Sequence, residues 1–141
     1  MTYSYYEHVS DIGIRAEGET LEEAFASGVE ACLGVMFDLE TIDAAGGVEV
    51  RAGAPEVDLL FVEVLNEVLS LMGRDEMALG TIEGGRVERT DEGFTFTGTA
   101  RGEKYDPEKH PVETEVKGAT YSGLAYRKED GRHVLTCILD V

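Results

Sequence analysis

The sequence predicts an α+β domain, with two helices packed on a mainly antiparallel multi-stranded sheet. Three observations lead there. Two segments, 20–36 and 55–75, repeat apolar residues at helical spacing and are separated by one short strand-like stretch. The remainder is rich in alternating runs joined by turn residues. No Pro-rich linker, low-complexity stretch or internal repeat divides the 141 residues, so 1–141 is read as a single domain.

Taken in order, Ile12, Ile14 and Ala16 alternate with Gly13, Arg15 and Glu17, the pattern of a half-buried strand. After a turn at Gly18-Glu19, Thr20-Leu-Glu-Glu23 fits a capping box, the Thr20 hydroxyl on the Glu23 amide and the Glu23 carboxylate reaching back. The helix it opens runs to about Met36, with Leu21, Ala24, Phe25, Gly28, Cys32 and Val35 largely on one face. A short strand, 48–51, follows the Ala44–Gly47 loop. Pro55 suits the first turn of a second helix, with Glu56 and Asp58 near its positive end. Leu60, Phe61, Val64, Leu65, Val68, Leu71 and Met72 form its broad apolar stripe, read as core, and Gly73–Asp75 ends it. Short strands at 81–83 and 86–89 lead to a turn at Asp91–Gly93. The run from Phe94 to Ala100 then alternates strictly. A polar loop, 102–110, precedes an extended run from Val112 to Tyr126, where Gly118 and Gly123 suggest bulges or close backbone approach. Asp130-Gly131 makes a hairpin to the last strand, 133–141.

Composition excludes several classes. With 29 acidic against 12 basic residues and a net charge of −17, the chain repels phosphate backbones, so generic RNA or DNA binding is a poor default. Arg127, Lys128 and Arg132 flank one turn; a solvated hairpin tip is the simpler account of them, a local basic patch the other. Acidity with scarce lysine also suits a high-salt cytoplasm, where self-repulsion is screened. No apolar run approaches the roughly 18 residues of a membrane span, and the N-terminal stretch lacks the basic and apolar segments of a signal peptide. A cytoplasmic location without a membrane partner is therefore expected. Cys32 and Cys137 sit at apolar positions without zinc or redox spacing and are expected to be buried, reduced thiols.

The chain's chemistry concentrates at its ends. Asp140 stands at the tip of the last strand beside the terminal carboxylate of Val141, and Asp11 stands in a turn just before the first alternating strand. If those strands are neighbours, Asp11, Asp140 and the Val141 carboxylate form an oxygen cluster suited to a hard divalent cation. The plainer alternative is a turn-stabilising Asp11 and a solvated terminal Asp140. No Ser-His-Asp or Cys-His pairing is legible, and the Gly-Gly pairs at 46–47 and 84–85 lack phosphate-loop spacing.

Four stretches together resemble one known family: His8-Val-Ser-Asp-Ile-Gly-Ile14, Leu21-Glu-Glu-Ala-Phe25 through Val35-Met-Phe-Asp38, the loop Gly102-Glu-Lys-Tyr-Asp-Pro-Glu-Lys-His110, and Val116-Lys-Gly-Ala-Thr-Tyr121 with the terminal Ile-Leu-Asp140-Val141. In this order, from about Tyr5 to Val141, they are similar to the archease family. The resemblance implies an accessory protein rather than an enzyme. It would assist an RtcB-type RNA ligase in tRNA splicing and RNA repair, promoting its guanylylation and sustaining multiple turnover. RNA and GTP would be met only through the ligase. The resemblance further implies a divalent cation, usually taken as calcium, held by Asp11, Asp140 and an oxygen of Val141. Val9 and Ser10 depart from the family's usual Thr and Ala, Gly118 from a small apolar residue, and Ser122 from a frequent His.

Four further residues are candidates for contact with a partner or nucleotide: Glu103, Lys109 and His110 in the polar loop, and Lys117 beyond it. For the loop the alternative is a surface turn fixed by Asp106-Pro107. For Lys117 it is an ion pair with a neighbour such as Glu115. His8 near Asp11 is read as hydrogen-bonded support rather than a ligand, since a calcium-like site prefers oxygen. Two rivals to the accessory role stay open: a small metal-dependent hydrolase or phosphatase, and a general chaperone-like binding protein using an exposed apolar patch.

Overall fold

The computed structural model describes residues 2–8 and 11–141, and of residues 7 and 8 the backbone alone. Strands β1 (Thr2–His8) and β2 (Asp11–Gly18) form a hairpin, followed by helix α1 (Leu21–Met36) and a single 3-10 turn at Leu39–Thr41. Then come β3 (Gly46–Ala54), helix α2 (Val57–Asp75), β4 (Met77–Thr90), β5 (Gly93–Lys104), β6 (Gly118–Glu129) and β7 (Arg132–Asp140). They form two antiparallel sheets, one ordered β1-β2-β7-β6 and the other β3-β5-β4. The two helices on antiparallel strands agree with the expected α+β class, but the strands divide into two sheets rather than one. The helices join them: α1 lies against β2 and β4, α2 against β3 and β6.

Both helices form for reasons written locally. The Glu23 amide donates to the Thr20 hydroxyl (3.1 Å), and the Glu23 carboxylate accepts from the Glu19 amide (2.9 Å), one residue before the cap itself. In α2 the residues Leu60, Phe61, Val64, Leu65, Val68 and Leu71 are all buried. Phe25 of α1 stacks on Phe96 of β5 (5.5 Å) and meets Phe61 of α2 edge-on (5.6 Å). This triad ties the two helices to the second sheet, and each buried ring contributes about 1.5–3 kcal/mol over its exposed state. Gly28 lets Phe61 lie against α1, since a Cβ there would strike the ring.

Several expected boundaries move. Pro55 stands before the N-cap residue Glu56 instead of inside the first turn of α2. The strands expected at 81–83 and 86–89 are one strand, carried across Gly84 (φ 63°) by a register shift between Glu83 and Arg86. The extended run expected from Val112 becomes strand only at Gly118; residues 111–117 are irregular, with the Glu113 amide bound to the Met36 carbonyl (2.7 Å). Gly123 (φ 63°) does lie in a bulge of β6, between Thr120 and Ala125, whereas Gly118 pairs regularly with Asp140. β1 is an addition. Its residues are tyrosines and small polar groups with no apolar alternation, and it is latched onto α1 by Ser27 donating to the Thr2 carbonyl (2.6 Å) and Tyr5 donating to the Ala31 carbonyl (2.9 Å). Cys32 and Cys137 are buried and unbridged. Burial pushes their thiols up to about 12 and about 11.

Candidate functional site

The β2–β7 register puts Asp11 directly opposite Asp140. Cross-strand partners share a face, with Cβ atoms about 4.5–5.5 Å apart. The face is the outer one: Leu139 and Ile14 are fully buried, whereas Asp140, one residue from Leu139, is exposed and Asp11 half-buried. On its other side Asp140 pairs with Gly118, and the Lys117 amide donates to its carbonyl (2.8 Å). Val141 follows, its side chain packed against the core. The three residues expected to act together are thus adjacent at one end of the four-stranded sheet. Among the described residues no group of three or more His, Cys, Asp or Glu side chains gathers around a common point. Among the described residues the side chains facing this tip from β2 and β7 are two carboxylates, with the Val141 main chain beside them. The His8 side chain and residues 9 and 10 lie outside the described residues.

The stretch expected as a polar loop over 102–110 begins as the end of β5, which runs to Lys104, and only 105–110 are loop; the stretch is built around Glu103. Its Oε2 accepts from Lys109 Nζ (2.7 Å), the Asp43 amide (3.0 Å) and His110 Nε2 (2.8 Å). These donors, Lys109 foremost, hold the Glu103 carboxyl down to about 2. Lys109 also reaches Asp43 (2.9 Å), and the two carboxylates, Asp43 first, raise its ammonium above its ordinary value. His110 is only 1 % exposed, edge-on to Phe37 (6.4 Å) and stacked with Tyr105 (6.2 Å). The Asp106 amide donates to its Nδ1 (3.0 Å), so Nδ1 carries a lone pair and Nε2–H donates to Glu103, a neutral ring assigned from its partners. Glu108 donates its amide to Asp106 Oδ1 (3.0 Å), the expected turn. Glu103, Lys109 and His110 therefore spend their polar groups on one another, on Asp106 and on Asp43, which follows the 3-10 turn. His110 offers no surface to a partner in this arrangement.

Lys117 differs from them. It is exposed and makes no ion pair among the described residues, the one with Glu115 included. With Lys104 it borders a groove of about 1010 Å³ between α2, the end of α1 and residues 112–117, walled by Met36, Leu69, Met77 and Val112. Asn66 of α2 opens onto the same groove and was not singled out from sequence. Its side-chain amide donates to the Ala119 carbonyl (3.2 Å) and accepts from the Ala119 amide (2.8 Å). A signal existed: Asn66 is the only asparagine in a chain without glutamine, and it stands beside the apolar stripe of α2. The basic trio at the β6–β7 hairpin is solvated, Arg127 pairing with Glu129 (3.1 Å), which also meets Arg15 (2.6 Å).

Among the described residues no helix is long and apolar enough to cross a membrane. The family model described as the Archease protein family (MTH1598/TM1083) matches residues 3–141. A protein archease of Methanosarcina mazei is 34% identical over 139 residues, covering 99% of this chain and 95% of the relative. One from Pyrococcus furiosus is 33% identical over 140 residues, covering 99% and 98%. The solution structure of Methanobacterium thermoautotrophicum protein 1598 superposes with a TM-score of 0.84 at 28% identity, covering 99% of this chain and 98% of that one. A Thermotoga maritima crystal structure, described as an archease and possible chaperone, shares the fold with a TM-score of 0.63 at 19% identity, over 96% and 94% of the two chains. Matched from end to end by the family model and by relatives above 30% identity, the chain belongs to the archease family.

Proposed function

We propose that this protein is the accessory factor of an RtcB-type RNA ligase, promoting the ligase's guanylylation and multiple turnover from the Asp11–Asp140 tip with a divalent cation bound there. Family membership supports an accessory role. The observation that carries the finer reading is the register that opposes Asp11 and Asp140 on the outer face, beside Val141. Like charges directly opposite one another destabilise a strand pair, and a hard cation converts that repulsion into ligation. Calcium takes six to eight oxygens. Two carboxylates and a main-chain oxygen fit the chemistry of such an ion and leave several positions to water or to whatever faces the tip. When bound, the cation supplies positive charge at the end of a strongly acidic chain. Asp11 and Asp140 hold it, and the Lys117–Asp140 backbone bond fixes the strand end from which Asp140 projects. Exposed Lys117 is the partner-contact candidate; Glu103, Lys109 and His110 serve by shaping the loop.

The test is RNA-end joining by the cognate ligase at limiting enzyme, with GTP and a divalent cation, in the presence and absence of this protein. Conversion from about one turnover to many supports the reading. No change with an active ligase removes it. Suppression of aggregation of unrelated proteins, unaffected by Asp140→Ala, would favour the chaperone-like role named for the Thermotoga protein.

A further inference from the structure

We infer that Asn66 is the positioning residue of the Asp140 tip, holding the start of β6 so that Lys117, Gly118 and Asp140 keep their register. The inference rests on the reading of that tip as the cation-binding end. β6 is an edge strand, and each edge residue that faces outward presents one amide and one carbonyl with no strand to receive them. At Ala119 both groups are taken by a single side chain, Asn66. A side-chain amide supplies a donor and an acceptor side by side on one planar group, the spacing a backbone amide–carbonyl pair presents; a carboxylate only accepts and an ammonium only donates. Asn66 therefore occupies the place of a missing neighbouring strand. That the chain uses its sole side-chain amide here, with glutamine absent throughout, marks the position as chemically particular.

The connection to the tip is short. Ala119 is held on its outer edge by Asn66 and pairs across β7 with Leu139. Gly118, the next residue, pairs with Asp140, and the Lys117 amide bonds the Asp140 carbonyl. Residues 111–117 before it are irregular, and the Lys117 amide bond is the contact with β7 that precedes the strand. Without Asn66, strand β6 would fray from its first residues. The Asp140 main chain would then lose the neighbour that holds it, and Asp140 would move relative to Asp11. Asn66 thereby ties helix α2, seated in the core, to the two acidic residues paired across β2 and β7 at this end of the sheet.

The experiment compares the full chain with Asn66→Ala and, as a control for stability alone, Val50→Ala, a buried β3 residue in the other sheet. Two quantities are read: amide hydrogen exchange at Lys117, and calcium affinity by calorimetry. Asn66→Ala is expected to speed Lys117 exchange at least tenfold and to weaken calcium binding about tenfold. Val50→Ala lowers the melting temperature and leaves both unchanged. Unaltered Lys117 protection in Asn66→Ala overturns the inference, as does faster exchange with unchanged calcium affinity. If the unsubstituted chain binds no calcium, the cation reading fails on its own, and Lys117 exchange alone decides whether Asn66 sets the tip.

Discussion

Asp11 of β2 and Asp140 of β7 are direct cross-strand partners, two carboxylates on one outer face where the ladder ends. Asp140 is exposed and Asp11 half-buried. If the proposed cation binds this tip, linkage predicts a stabilisation of about 2.7 kcal/mol at one hundred times its Kd. For a domain of this size that is a rise in melting temperature on the order of 10 °C. Asp140→Asn preserves shape and removes the charge, so the calcium-dependent rise is expected to vanish while the fold persists. In the ligation assay the same variant should lose stimulation but retain ligase binding. Full stimulation by Asp140→Asn would remove the cation from the mechanism.

His110 is expected to act through folding rather than contact. His110→Ala removes a buried ring, strands the Asp106 amide and takes one donor from Glu103. Together these losses cost about 2–4 kcal/mol. Urea denaturation should show that loss, and ligase stimulation should be normal at temperatures where the variant is folded. A folded His110→Ala protein without stimulation would return the ring to the interface.

Glu103 makes the loop acid-sensitive. Its carboxyl is held at about 2 in the folded chain against an ordinary value of 4.5. A folded-state value below the unfolded one contributes stability that is present above pH 4.5 and lost as pH falls towards 2. The contribution belongs to a solvent-facing cluster, so its size is modest. Urea midpoints from pH 5 to pH 2 should fall less steeply for Glu103→Gln than for the unsubstituted chain, all other carboxylates being common to both. Equal slopes would mean that Lys109, Asp43 and His110 do not hold Glu103 in solution.

What was legible in the sequence was what neighbouring residues decide together. The capping box at Thr20 and Glu23, the apolar stripe of α2, and the Asp130-Gly131 hairpin, where both residues take positive φ (51° and 79°), are all signals within a few positions. The acidic residues at the two ends of the chain were visible as chemistry, and their opposition required only that β2 and β7 be neighbours. The rest depends on partners far away along the chain. β1 has no apolar alternation and is a strand because Ser27 and Tyr5 tie it to α1. His110 sits in a polar stretch yet is buried, because Phe37 and Tyr105 close over it. Asn66 and Ala119 are 53 positions apart, and nothing local to either announces the pairing.

Two glycines separate crowding from propensity. Gly102 stands near the end of β5, next to Glu103 and shortly before the loop that carries His110. It lies between Gly46 of β3 and Leu79 of β4, at the register shift between Leu79 and Thr81. A Cβ at Gly102 would run into the Ala78 carbonyl oxygen and come within 2.8 Å of the Leu79 Cα. These are backbone atoms of a paired strand, with no rotamer to relieve the clash, so β4 and β5 would have to separate. Gly102→Ala is therefore expected to cost about 3 kcal/mol, at the upper end for an added methyl. Gly73, in the last turns of α2, meets nothing within 4 Å of an added Cβ. There the methyl only reduces the freedom of the unfolded chain, and Gly73→Ala should gain about 0.5–1 kcal/mol. Chemical denaturation of the two variants side by side gives opposite signs if the close approach of β4 to Gly102 persists in solution. A neutral Gly102→Ala would mean that the bulge at Leu79 relaxes and that Glu103 is not held by the tight sheet beneath it.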